Sequence, residues 1–177
     1  MNGNLKISDK LKLDFGVGNK NLISKNYAEI IDLLGADFHE DIDTFSDTRN
    51  DFLGDVNKTE GDIFNYNYEL NANEADAFTQ LNLDFTRWKA FVAGRYTQVT
   101  YQRNGLFENG RFLENSLGES EKLRFSNFGF KGGVTYKISG RHWIVSNTGY
   151  IKKAPVLQNV FINPRESNLI VPNLQSE

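Results

Sequence analysis

The sequence predicts an all-β chain of antiparallel, up-and-down strands, and three observations point there. First, Phe128, Phe130, Val134, Tyr136 and Ile138 fall on one side of a period-two alternation, and Asn127, Lys131, Thr135 and Lys137 on the other. Second, aromatic residues make up 13% of the chain against only 3 prolines, a balance that favours extended sheet over disorder. Third, the connections between predicted strands alternate between long and short. The alternation around Phe128 outruns the roughly 5–6 residues of an ordinary soluble strand. Its apolar side therefore meets either a protein core or lipid.

The elements follow in order. Leu5, Ile7, Leu11, Leu13, Phe15 and Val17 alternate with Lys6, Ser8, Lys10, Lys12, Asp14 and Gly16, which predicts one strand over 5–17. Asp9 alone interrupts its apolar side. A long polar connection over 18–62 comes next. Within it Tyr27, Ile30, Ile31 and Leu34 recur at helical spacing, and Gly35 stands where a C-cap would, so a short helix is predicted there. Strands over 63–70 and 77–85 are separated by a connection of intermediate length. A tight turn at Thr86-Arg87 leads into a strand over 88–103, with Trp88, Ala90, Val92, Gly94 and Tyr96 on one face. A polar loop over 104–122 precedes the strand over 123–138. After a turn at Ser139-Gly140 come a further strand over 141–152 and an irregular tail from Ala154-Pro155.

About six long strands result, most of them longer than the ~9–11 residues that cross a bilayer. Long loops at one end and short turns at the other are the habit of transmembrane β-barrels, whose short turns are periplasmic and whose long loops are external. On that reading Val92, Phe128, Phe130, Val134 and Tyr136 face lipid, and Lys131, Thr135 and Lys137 face the lumen. Trp88 and Trp143 each follow a tight turn, where interfacial aromatics belong; packing in a soluble core is the competing use. A mean hydropathy of -0.50 does not argue against such a wall, because every second residue is polar. No run of about 18 apolar residues exists, so no transmembrane helix is expected.

Other classes are disfavoured. A net charge of -3 leaves no basic footprint for nucleic acid. The absence of cysteine removes disulfides and thiolate metal sites. Met1-Asn2-Gly3-Asn4-Leu5 is not a signal peptide, so an exported protein must have lost its start, or this chain is not exported. The two histidines, His39 and His142, stand far apart, and no phosphate loop or nucleophile elbow occurs, so no enzymatic role, cofactor or catalytic residue is expected. The acidic run Asp37, Glu40, Asp41, Asp43, Asp47, Asp51, Asp55, Glu60 and Asp62 has oxygen ligands for calcium but lacks the spacing of an EF-hand. A solvated loop is its plainer reading. Arg103, Arg111 and Arg124 flank or lie in the 104–122 loop, as substrate contacts or as salt-bridge anchors between loops.

Several segments carry a resemblance. Tyr101-Gln102-Arg103-Asn104-Gly105-Leu106-Phe107, Asn115-Ser116-Leu117-Gly118-Glu119-Ser120-Glu121-Lys122, Tyr136–His142, Ala154-Pro155 and Phe161-Ile162-Asn163-Pro164-Arg165 occur in consistent order. Together with Leu33-Leu34-Gly35-Ala36-Asp37, the series resembles the β-barrel of TonB-dependent outer-membrane receptors of the Bacteroidetes type. The resemblance implies that residues 1–177 are a partial barrel domain, an internal fragment without signal peptide, plug or terminal strand. It further implies outer-membrane localisation and uptake of a ferric siderophore, vitamin or glycan. The partners it implies are membrane lipid, the plug of the same receptor and the TonB complex through the parent protein. A soluble, lipocalin-like barrel that binds a small apolar ligand is the alternative.

Overall fold

The computed structural model describes residues 1–177, and it is all-β, with 58% strand and 2% helix. Its strands are β1 (Asn2–Ser8), β2 (Leu11–Glu29), β3 (His39–Glu40), β4 (Ile42–Asp43), β5 (Thr48–Arg49), β6 (Asn57–Lys58), β7 (Ile63–Asp84), β8 (Trp88–Gly105), β9 (Gly118–Glu119), β10 (Leu123–Lys137) and β11 (Trp143–Ile151). One antiparallel sheet runs β1-β2-β7-β8-β10-β11, with β9 paired to the end of β8. The order follows the chain without a crossover, and the sheet does not close into a barrel. The pairs β3–β6 and β4–β5 fold the connection between β2 and β7.

Six long strands are present, but their boundaries correct the sequence reading in three places. The strand expected over 5–17 is a hairpin that turns at Asp9-Lys10, with Leu5 opposite Leu13 and Ser8 opposite Leu11. The two-residue turn by itself reverses parity, but a register shift between Lys6 and Ser8 restores it, so the alternation runs through the hairpin as if through one strand. The polar stretch after Val17 continues β2 to Glu29, paired with β7 from Val17–Ala77 to Glu29–Ile63 across one bulge. No helix forms over Tyr27–Leu34. Tyr27 is in the strand, and Ile30 is held by main-chain bonds to Asp62 and Gly61. Gly35 is left-handed at φ +88, but it follows a turn in which the Leu34 N–H donates to Asp32 Oδ1 at 2.7 Å. Lastly, the two strands expected over 63–70 and 77–85 are one. Asn71, Asn73, Glu74 and Asp76 lie between β2 and β8, and a ladder on both sides outweighs their low strand propensity.

These corrections make the connections regular. Three short turns, at 9–10, 85–87 and 138–142, lie at one end of the sheet, and the long segments at 30–62, 106–122 and 152–177 lie at the other. Gly105, the last residue of β8, is a point of close approach. A Cβ there would run into the Ser116 carbonyl of the adjoining loop.

The register assigns each side chain to a face. Four rows, Leu11–Leu83–Ala90–Val134, Leu13–Leu81–Val92–Gly132, Phe15–Thr79–Gly94–Phe130 and Val17–Ala77–Tyr96–Phe128, form an apolar band on what we call the Phe128 face. Toward the loops the same face turns polar, with Asn19–Ala75–Gln98–Ser126 and Asn21–Asn73–Thr100–Arg124. The opposite, Lys131 face is polar near the turns, with rows such as Asp14–Gln80–Ala93–Lys131. Near the loops it becomes the core. Tyr68, Leu70, Val99, Tyr101 and Phe125 are covered there by Val160 and Phe161 of the tail.

Candidate functional site: a two-faced wall with a braced loop end

The turn-end half of the sheet leaves its apolar side chains uncovered. Val92 is 62% exposed and Phe130 60%, and Phe128, Val134 and Tyr136 are also exposed. The Phe128 face carries no second layer here, so strand pairing and side-chain contacts within the sheet hold this half. Tyr96 and Phe128 pack ring to ring at 5.1 Å, and Trp88 stacks on Phe85 at 5.0 Å beside the turn.

The Lys131 face is a lattice of opposite charges. Asp84 binds Lys89 at 2.7 Å, Arg95 reaches both Asp76 and Glu74 at 3.4 Å, and Lys20 also meets Glu74 at 3.4 Å. Asn82 donates to Asp14 at 2.6 Å. These pairs join β2, β7 and β8, whereas β10 and β11 contribute no carboxylate. Lys131 and Thr135 thus lie on this polar face, and Lys131 has no carboxylate partner. Lys137 places its ammonium over the Trp143 ring at 5.4 Å. Trp143 pairs directly with Lys137 and so lies on the Lys131 face, while Trp88 pairs with Tyr136 and lies on the other. The two tryptophans therefore do not form one girdle. The turn at 138–142 fixes this, because it brings Trp143, rather than Ile144, opposite Lys137.

At the loop end the three arginines have three different fates. Arg103 is buried at 1% exposure, with Nε bonded to the Pro164 carbonyl at 2.7 Å and Nη1 to the Ser116 carbonyl at 2.8 Å and Asn168 Oδ1 at 2.6 Å. The ring of Tyr68 lies 5.3 Å from the guanidinium. The planar, multi-donor fork of arginine suits such a convergence of carbonyls. Arg103 thereby clasps the 106–122 loop and the tail together. Arg111 extends this bracing, with Nη1 at 3.1 Å from Glu166 and 3.9 Å from Asp43. Arg124 is exposed on the polar part of the Phe128 face.

Asp41 organises the 30–62 connection, a role the sequence did not mark. It is 2% exposed, and its Oδ1 accepts from Asn50 Nδ2 at 2.8 Å and from the Asn65 N–H at 2.9 Å, where Asn65 is left-handed at φ +64. Nothing in the spacing of nine acidic residues singles out the one that turns inward. Asp43 caps the β4–β5 turn, and its bonds from the Ser46 hydroxyl and the Phe45 N–H hold its carboxyl below the usual range. Asp62 is lowered likewise by the N–H and hydroxyl of Thr59. The carboxylates of Asp43 and Asp62 are thus spent on turns, and nowhere do three His, Asp or Glu residues gather as a metal-ligand set. No helix is long and apolar enough to cross a membrane, which says nothing of strands. Comparison with protein-family models, with curated proteins and with solved structures finds no match for this chain.

Proposed function

We propose that this chain is a stretch of β-barrel wall from a TonB-dependent receptor of the outer membrane, which imports a scarce nutrient such as a ferric siderophore, vitamin or glycan. The observation that carries the reading is the exposed apolar band on the Phe128 face, bounded by polar rows on the loop side and aligned with three short turns. From Trp88 to Tyr96 the band spans nine residues of β8, about 27 Å at strand rise. A tilt of about 40° turns that into roughly 20 Å of height, close to the ~25 Å apolar belt of outer-membrane barrels. A soluble sheet would cover this face with a second layer.

In this reading Val92, Phe128, Phe130, Val134 and Tyr136 meet lipid. The Lys131 face borders the lumen, where carboxylates of the receptor's plug or water meet the Lys131 ammonium, since a bare buried charge is costly. The loop end meets the substrate, and the TonB complex acts through the parent protein. The segment supplies wall, lumen surface and loops, and no covalent chemistry is assigned to it.

Site-directed tryptophans test the face assignment. In a Trp88→Phe, Trp143→Phe background refolded into vesicles, Val92→Trp is quenched strongly by brominated acyl chains and Lys131→Trp is not. Equal quenching at both sites would discard the assignment. A chain that folds as a monomer without detergent, with neither reporter quenched, would point instead to the soluble lipocalin-like binder.

A further inference from the structure

The free edge of β11 carries the beginning of another ladder. The Lys153 N–H donates to the Glu177 carbonyl at 2.8 Å, and the Glu177 N–H donates to the Lys153 carbonyl at 2.9 Å. Two residues that exchange both bonds are a hydrogen-bonded pair of antiparallel strands. One residue earlier, the Lys152 N–H donates to the Phe128 carbonyl on β10 at 3.0 Å. Main-chain groups of successive strand residues point to opposite edges, so Lys153 turns its own toward the side away from β10. Glu177 therefore lies on the open side of β11. Ile151, Gly149, Asn147, Val145 and Trp143 share that parity and present their main-chain groups along the same side, where β11 has no neighbour.

We infer that the open edge of β11 seats one further antiparallel strand, entering in line with Glu177 and in the register that the Lys153–Glu177 pair sets. The inference rests on the barrel-wall reading for its reason, since a sheet edge facing hydrocarbon leaves each unpaired group costing several kcal/mol. The ladder itself rests on the hydrogen bonds alone. Paired positions sum to 330, from 153 plus 177. The third, fifth, seventh and ninth residues beyond Glu177 then oppose Tyr150, Thr148, Ser146 and Ile144, on the Phe128 face. Those positions take apolar residues. The residues between them oppose Ile151, Gly149, Asn147 and Val145, and they take polar or small ones. The occupant is thus an extended segment of about ten residues with period-two alternation and a defined phase.

The absence of cysteine makes the register directly readable. Ser146→Cys is introduced into the whole chain, which is extended past Glu177 by an alternating strand carrying one cysteine at the fifth, seventh or ninth added position. Ser146 and the seventh position form a non-hydrogen-bonded pair, with Cα atoms about 4.5 Å apart, inside the disulfide range. A shift of two residues adds about 7 Å along the strand. We expect an intrachain disulfide at the seventh position at least about ten-fold faster than at the fifth or ninth, in detergent micelles and in vesicles alike. Equal rates at all three positions would overturn the register. Interchain dimers of the Ser146→Cys chain, with or without the extension, would assign the edge to a second copy instead. The seventh-position preference together with no quenching of Val92→Trp by brominated lipid would keep the ladder and discard the membrane wall.

Discussion

The two halves of the sheet obey opposite rules. At the loop end the Lys131 face is the buried one, with Val160 at 0% and Phe161 at 3% exposure against Tyr68, Leu70, Val99, Tyr101 and Phe125. At the turn end the same face is a charge lattice, and the apolar residues lie on the other side. The strands β7 and β8 pass through both regimes without interruption. One ladder thus carries a covered core on one face at one end and an exposed apolar band on the opposite face at the other. The difference teaches that burial is set by what covers each face, while alternation sets only which residues share it.

The largest expected effect tests the loop-end core. Phe161→Ala should cost about 4 kcal/mol of unfolding free energy, because it empties a filled site between tail and sheet. Phe130→Ala, in the band, should cost under about 1 kcal/mol in detergent, so that chemical unfolding of the pair measures the contrast. Comparable losses would erase the distinction between the halves.

Removing the clasp comes next. Arg103→Ala strips three acceptors of their donor and should cost about 3 kcal/mol, with faster amide exchange confined to residues 106–122 and 153–177. Unchanged exchange in the tail would show that Val160 and Phe161 hold it alone. A charge in the band separates the halves by solvent. Val92→Lys should cost about 2–3 kcal/mol on folding into vesicles, whereas Lys131→Ala should leave vesicle folding within about 0.5 kcal/mol. The reverse order would exchange the two faces.

Gly105→Ala should cost roughly 1–2 kcal/mol by pushing its Cβ into the Ser116 carbonyl, with loss of the β8–β9 pairing seen by amide exchange. The smallest effect is that of pH. Asp43 and Asp62 have folded-state pKa values below those of the unfolded chain, so their contribution is present at neutral pH. It should fade only as the pH falls below about 4. Loosening of the 30–62 connection at pH 6, read by amide exchange, would contradict this.

Strand content, antiparallel order and the turns near Thr86-Arg87 and Ser139-Gly140 were legible because period-two alternation is local. What the sequence hid was long-range. Asn19–Asn26 and Asn71–Asp76 look like loops until each is laid against the other, where the ladder supplies what propensity withholds. The hairpin at Asp9-Lys10 stayed hidden because the register shift beside its turn cancels the change of parity the turn makes. Tyr27, Ile30, Ile31 and Leu34 imitate a helical stripe by coincidence of spacing. At the loop end, Arg103 was legible as a residue of interest but not as a buried clasp, since its acceptors are carbonyls contributed by Ser116 and Pro164, and main-chain atoms leave no mark in a sequence. Asp41 was lost among like charges. The face of Trp143 was not legible, because it depends on the length of the turn before it.

The three short turns at one end carry a consequence for how such a sheet is made wider or narrower. The hairpin β7–β8 descends from the loop end, turns and returns there, and β1–β2 and β10–β11 turn at the same end. The width of the sheet is therefore counted in whole hairpins. Adding or deleting one changes the width of the sheet by a fixed step and leaves every other strand with its direction, its facing and its exit unchanged. Single-strand edits have no such freedom, because one crossing more or less would send the rest of the polypeptide out at the opposite end.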